Sequence, residues 1–201
     1  MYRLLANKIT NTFIKNQIIK EEEKEVYIYG LEVLLALILT TVFIIIFSIP
    51  IKLFFETLLY LLGFFTVRTI CGGYHAKHHF SCFCLTMGSY LMFLLINYFV
   101  AKMNVVYPIS IVFSLLAALV ILLFAPVEHP NNPMTAYRKN KNRKLSILLA
   151  VLILCVVGFG FFFNNLYQKV LQINLGIFLA AMAILVAKIE LIISKRKEVQ
   201  A

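Results

Sequence analysis

Three of the four cysteines and three of the four histidines fall between residues 71 and 84. The segment reads Arg68-Thr-Ile-Cys71-Gly72-Gly73-Tyr74-His75-Ala-Lys77-His78-His79-Phe-Ser81-Cys82-Phe-Cys84 and separates two long apolar runs. A cysteine attacks carbonyls as the thiolate, which a neighbouring imidazole or a helix N-terminus makes accessible at neutral pH. Cys82 is expected to open an apolar helix, with Ser81 at its N-cap and the helix dipole favouring negative charge on sulfur. His75 is suited to take the thiol proton and return it to a leaving amine. Seven residues of straight helix would hold His75 and Cys82 about 10 Å apart. A dyad therefore requires the chain to bend between them. Gly72-Gly73 supplies the backbone freedom, so a broken element at the membrane face is expected.

Two other readings of the same residues stay open on this ground. His75 and His79, and likewise His78 and Cys82, are four apart and would share a helix face, which suits zinc. Against that, HExxH is absent and no glutamate lies in the cluster as a base. The third reading is a plain loop, with histidines solvated or touching lipid headgroups and glycines making a turn. Arg68 reads either as an anion-binding fork or as a snorkelling anchor that ends a span. Cys71 and Cys84 read as structural. In a helix Cys84 points about 200° away from Cys82. Cys155, inside an apolar run, reads as inert packing.

The elements that must position these groups are apolar. Of 201 residues, 62% are hydrophobic, and several runs reach the roughly 20 residues that cross a bilayer. The expected fold is all-α: a polytopic membrane protein of about six transmembrane helices with an N-terminal amphipathic interfacial helix. The spans fall near Val26–Ile49, Ile51–Val67, Cys82–Ala101, Val105–Ala125, Leu145–Phe163 and Ile173–Ile193. Residues 1–25 form the interfacial segment, with Leu4, Leu5, Ile9, Phe13, Ile18 and Ile19 near helical spacing. Residues 26–201 form one six-span domain carrying the segment 68–84. Pro50 breaks the first pair of spans at a tight turn. No cleavable signal peptide and no internal repeat is read.

The formal net charge is +10. No basic nucleic-acid motif accompanies it, so the charge is assigned to membrane topology and anionic lipid rather than to nucleic acid. Fifteen of the 19 Lys and Arg residues lie in the N-terminal segment, the loops 68–81 and 126–144, and the C-terminus. The three alternate loops hold Lys52, Lys102 and Lys169, one each. By the positive-inside rule both termini are cytoplasmic in a multi-pass cell-membrane protein.

The segment resembles the accessory gene regulator B family, AgrB. The shared pattern is an Arg (Arg68), then Gly-Gly-x-His (Gly72-Gly73-Tyr74-His75), then a Cys seven residues after the His (Cys82). Gly63 and the run Pro126-Val-Glu-His-Pro-Asn-Asn-Pro133 also resemble family features. The resemblance implies a membrane cysteine endopeptidase of quorum sensing that acts on an AgrD-type propeptide. It implies removal of the propeptide's C-terminal tail through a thioester on Cys82, with His75 as general base and acid. Ring closure to a thiolactone or lactone then releases the peptide. Arg68, Gly72 and Gly73 are implied as substrate-binding or oxyanion support, and a homodimer is implied. No cofactor and no metal is expected. A transporter or peptide exporter without covalent chemistry, and a metal-dependent intramembrane protease, are the alternatives. The exporter predicts charged or broken positions near the midplane, and spans three to five are poor in these apart from Asn97. A third catalytic group is not legible, with Glu32 and Glu128 as candidates.

Overall fold

The computed structural model describes residues 2–72, 79–103, 106–127, 134–160 and 167–200. Within them run α1 (Tyr2–Lys15), α2 (Lys24–Ser48), α3 (Phe54–Cys71), α4 (His79–Met103), α5 (Val106–Phe124), α6 (Ala136–Gly160) and α7 (Tyr167–Gln200). A short 3-10 turn, Glu21–Glu23, precedes α2. No strand occurs among the described residues, only an isolated bridge between Gly72 and Val127.

Five helices, α2, α3, α4, α6 and α7, are long and apolar enough to cross a membrane. The apolar part of α5, Pro108–Phe124, is shorter. Its full helix of 19 residues rises about 28 Å, close to the hydrocarbon thickness of roughly 30 Å. The protein is thus the all-α polytopic membrane protein that the apolar runs anticipate. Large side chains such as Leu34, Phe43, Leu95, Phe99, Leu148 and Ile189 are exposed. In water such a surface would aggregate, whereas in a bilayer it is the lipid-facing side.

Two compact units divide the chain. The first comprises residues 1–52 and 76–88. Here α1 packs on α2, with Ala6, Thr10, Ile28 and Ile44 buried. The Thr10 hydroxyl donates to Ala6 O at 2.8 Å, which satisfies it where water is excluded. An amphipathic pattern reaching Ile19 had suggested a longer first helix. Instead α1 stops at Lys15: Gln17 takes φ 57°, and the amides of Gln17 and Ile18 donate to Ile14 O and Phe13 O, both at 2.9 Å. That is the Schellman arrangement, made here without the glycine that usually announces it. Arg3 and Glu25 lie 3.7 Å apart and exposed, a pair that contributes little. Around Pro50 the chain leaves α2 at Ser48 and turns through Lys52 at φ 58°, the tight turn that Pro50 predicts.

The second unit comprises residues 53–75 and 89–201. Its centre is the packing of α3 on α7. Gly63 and Gly176 face this crossing. A Cβ on Gly63 would strike the Ile173 carbonyl, and one on Gly176 would strike the Tyr60 carbonyl. Without an apolar driving force between helices in lipid, such close backbone approach is what gains dispersion energy. Beside this crossing, Tyr60 stacks on Phe93 at 4.5 Å between centroids, and Tyr60 and Tyr90 pack at 5.8 Å. Their hydroxyls are satisfied: Tyr90 pairs with Thr57 at 2.9 Å and Tyr60 with Ser89 at 3.0 Å. Near the opposite helix ends, Gln172 Nε2 donates to Asn97 Oδ1 at 2.9 Å, and Asn174 Nδ2 to Ser110 Oγ at 2.8 Å. Asn97, the polar exception among the later spans, is therefore an interhelical partner. The described parts of α3 to α7 are continuous helices. The broken midplane helices of the exporter alternative do not occur among them.

Candidate functional site

The segment singled out by its chemistry begins where α3 ends. Arg68 lies in the last turn of α3, where a cation complements the helix dipole. Its guanidinium carbon sits 6.0 Å from the centroid of the Phe64 ring, at the limit of a cation–π contact. One turn later Gly72 stops the helix with φ 75° and ψ −151°, a region that essentially only glycine occupies. A Cβ there would also lie 2.6 Å from Val127 O. The requirement for glycine at 72 thus has two causes, one torsional and one steric. Helix α3 ends here, and residues 73–78, in which the bend of a His75–Cys82 dyad is expected, lie outside the described residues.

Helix α4 begins at His79, three residues before Cys82. The expected N-cap at Ser81 is not what forms, because Ser81 already lies inside the helix. The Cys82 backbone is the fourth residue of α4 as described. Gly73, His75, His78 and Glu128 lie outside the described residues, as do the side chains of His79 and Cys82. The histidine–cysteine pairing belongs to that set. Glu32 is half-buried in α2.

The remaining thiols separate by environment. Cys71 is fully buried, and its Sγ lies 3.3 Å from Ser146 Oγ. Burial and a hydrogen bond make it a structural thiol, in line with its sequence reading. Cys84 and Cys155 are exposed. For Cys155 this corrects the packing role expected from an apolar run: it sits on the outward face of α6. Among the described residues no three His, Cys, Asp or Glu side chains gather as metal ligands.

A set of contacts that the sequence did not announce ties the end of α3 to the segment after α5. Val127 N donates to Cys71 O at 3.0 Å, occupying one of the carbonyls that a helix end leaves unpaired. Arg143 Nη1 donates to Ala125 O at 2.5 Å. Ser146 Oγ donates to Asn142 O at 2.8 Å while it contacts Cys71. Ala125, Val127, Cys71 and Ser146 are all buried. Sequence reading placed Arg143 in a basic loop as a topology charge. Helix α6 starts at Ala136, so Arg138 to Lys144 are helical rather than loop. No local pattern announces these ties, since their partners lie 18 and 75 residues away in sequence.

A family model described as Accessory gene regulator B matches residues 6–192. An AgrB-like protein of Clostridium perfringens strain 13 is 26% identical over 184 residues, spanning 87% of this chain and 83% of its own length. Accessory gene regulator protein B of Staphylococcus carnosus is 24% identical over 152 residues, 76% of either chain. A second AgrB-like protein of Clostridium perfringens, from strain SM101, is 26% identical over 167 residues, spanning 79% of this chain and 77% of its own length. No solved structure matches the chain.

Proposed function

The chain belongs to the accessory gene regulator B family, and from that premise we propose that it is a membrane cysteine endopeptidase that cuts and cyclises an AgrD-type propeptide. Membership gives it a role in the agr quorum-sensing system, in association with AgrD, as a multi-pass membrane protein. The observation that carries the finer reading is the family's Gly-Gly-x-His…Cys pattern set at a helix break. The first glycine closes α3 in a conformation closed to other residues, and the cysteine lies within α4, three residues after His79.

In this reading His75 removes the Cys82 thiol proton, and the sulfur adds to the scissile carbonyl. The tetrahedral intermediate collapses to re-form the carbonyl, the C–N bond breaks, and the leaving amine takes the proton from His75. The N-terminal fragment stays on Cys82 as a thioester. A thiol or hydroxyl within the fragment gives its proton to His75 and attacks the same carbonyl. Cys82 sulfur leaves and is reprotonated. Exchange of a thioester onto another thiol is nearly balanced, so little acyl reactivity is lost. Arg68 binds a substrate carboxylate or stabilises the oxyanion, and Gly72 and Gly73 let the backbone approach the peptide. The chemistry uses no metal or cofactor. Both termini and the basic start of α6 face the cytoplasm, α1 lies in the lipid interface, and the protein works as a homodimer.

The test is propeptide cleavage by single variants in proteoliposomes. His75→Ala and Cys82→Ser are expected to lose cleavage. Cys71→Ser, Cys84→Ser, His78→Ala and His79→Ala are expected to retain it. Cys71→Ser keeps a hydrogen-bonding partner for Ser146 in a buried site. Near-normal cleavage by Cys82→Ser, or loss of activity to a chelator, overturns the reading.

A further inference from the structure

We propose that Arg143 is a positioning residue for the proposed reaction: through Ala125 and Val127 it latches the end of α3 from which the His75 segment departs. The proposal rests on the peptidase reading above for its catalytic consequence and on geometry alone for the latch.

The chain of contacts is continuous. Arg143, in the second turn of α6, reaches back across 18 residues to Ala125 O. Two residues on, Val127 N donates to Cys71 O, and Val127 pairs in parallel with Gly72. A second tie reaches the same point, since Ser146 lies one turn beyond Arg143 on α6 and contacts Cys71 Sγ. Residue 71 is thus held at its carbonyl and at its side chain, and residue 72 by the bridge. Cys71, Ala125, Val127 and Ser146 are buried and Arg143 and Gly72 half-buried, so water competes little here, a hydrogen bond is strong and an unpaired carbonyl is costly.

The anchor lies close to the chemistry along the chain. His75 is three chain steps beyond Gly72, so the two Cα atoms are at most about 11 Å apart however the chain runs. Where the end of α3 lies therefore limits where residue 75 can reach. Proton transfer requires hydrogen-bond reach, and a misplacement of about 1 Å can cost a hundredfold in rate. Arginine suits the task because its charge is permanent and its fork donates to a backbone carbonyl at fixed geometry. Without it Ala125 O is left buried and unpaired, and residues 125–127 are free to leave Cys71 and Gly72.

The experiment compares wild type, Arg143→Met, Arg143→Lys and Arg138→Met in proteoliposomes. Arg138 is an exposed cation in the first turn of the same helix, so its loss controls for charge. Propeptide cleavage gives kcat and KM, and amide hydrogen exchange reads residues 68–79 and 125–127 without any need for turnover. Arg143→Met is expected to lose about ten- to a hundredfold in kcat with KM changed less than about threefold. Its exchange is expected to rise in those two segments while the α3–α7 crossing stays protected. Arg143→Lys keeps one donor and is expected to recover most of the loss, and Arg138→Met to match wild type. Wild-type kcat in Arg143→Met, a loss confined to KM, or no better activity in Arg143→Lys overturns the proposal. So does exchange that rises throughout the bundle. If Arg143→Met does not fold, the milder Arg143→Lys carries the same test, with a partial kcat loss and exchange rise expected and wild-type behaviour in both overturning it. Cleavage that survives Cys82→Ser removes the peptidase reading by itself, and the exchange data then decide the latch alone.

Discussion

Replacing Gly72 with alanine tests the junction at the end of α3 most severely for the smallest chemical change. Two costs are readable from the backbone. At φ 75° and ψ −151° a non-glycine residue is strained by about 1–3 kcal/mol. The new Cβ would also lie 2.6 Å from Val127 O, and relieving that contact is an overpacking cost of about 1–3 kcal/mol. The two relax together, because the same movement that rotates residue 72 also displaces Val127. A net loss of about 2–4 kcal/mol is therefore expected. For a chain of this length that corresponds to a fall of roughly 5–15 °C in apparent melting temperature. Thermal unfolding in mild detergent measures it, with Gly158→Ala as control. Nothing lies within 4 Å of a Cβ built on Gly158, so alanine there is expected to be neutral or to stabilise by up to about 1 kcal/mol through helix propensity. Gly72→Ala is also expected to lose cleavage by tenfold or more at temperatures where it remains folded. A Gly72→Ala protein that melts like wild type and cleaves like wild type would refute both the strain and the positional argument.

Two further outcomes follow from other parts of the molecule. Asn97→Leu leaves the buried Gln172 amide without its partner and is expected to destabilise. Asn97→Leu combined with Gln172→Leu is expected to recover most of that loss, with a coupling of about 0.6–1.7 kcal/mol in a double-mutant cycle read by reversible unfolding in detergent. Asn140 is exposed in α6 among five cations, so Asn140→Cys in a cysteine-free background is expected to react with thiol reagents only from the cytoplasmic side. Labelling from outside contradicts the proposed orientation.

The membrane class was legible because lipid imposes one rule over long stretches: apolar runs of span length, with cations between them. Helix limits were less legible where the ending is made by backbone geometry. Gln17 closes α1 in a left-handed conformation that no glycine advertises. The basic run before the fifth span looked like a loop because charge disfavours membrane, yet charge does not disfavour helix, and α6 starts at Ala136. Gly72 was legible as a break because a glycine pair between two apolar runs has few other uses. Its second cause, the Val127 carbonyl, lies 55 residues away in sequence and leaves no local trace. Gly63 stood out only by resemblance, and packing against the Ile173 backbone explains it. The ties through Arg143 and Ser146 were hidden for the same reason, since tertiary hydrogen bonds have no period.

The proposed covalent step at Cys82 is tested most directly by trapping it. Wild-type protein mixed with a propeptide that lacks its ring-closing residue is expected to accumulate a covalent adduct. Hydroxylamine should release it, as expected of a thioester, and peptide mass spectrometry should place it on Cys82. An adduct on Cys84, or none while cleavage proceeds, contradicts the account.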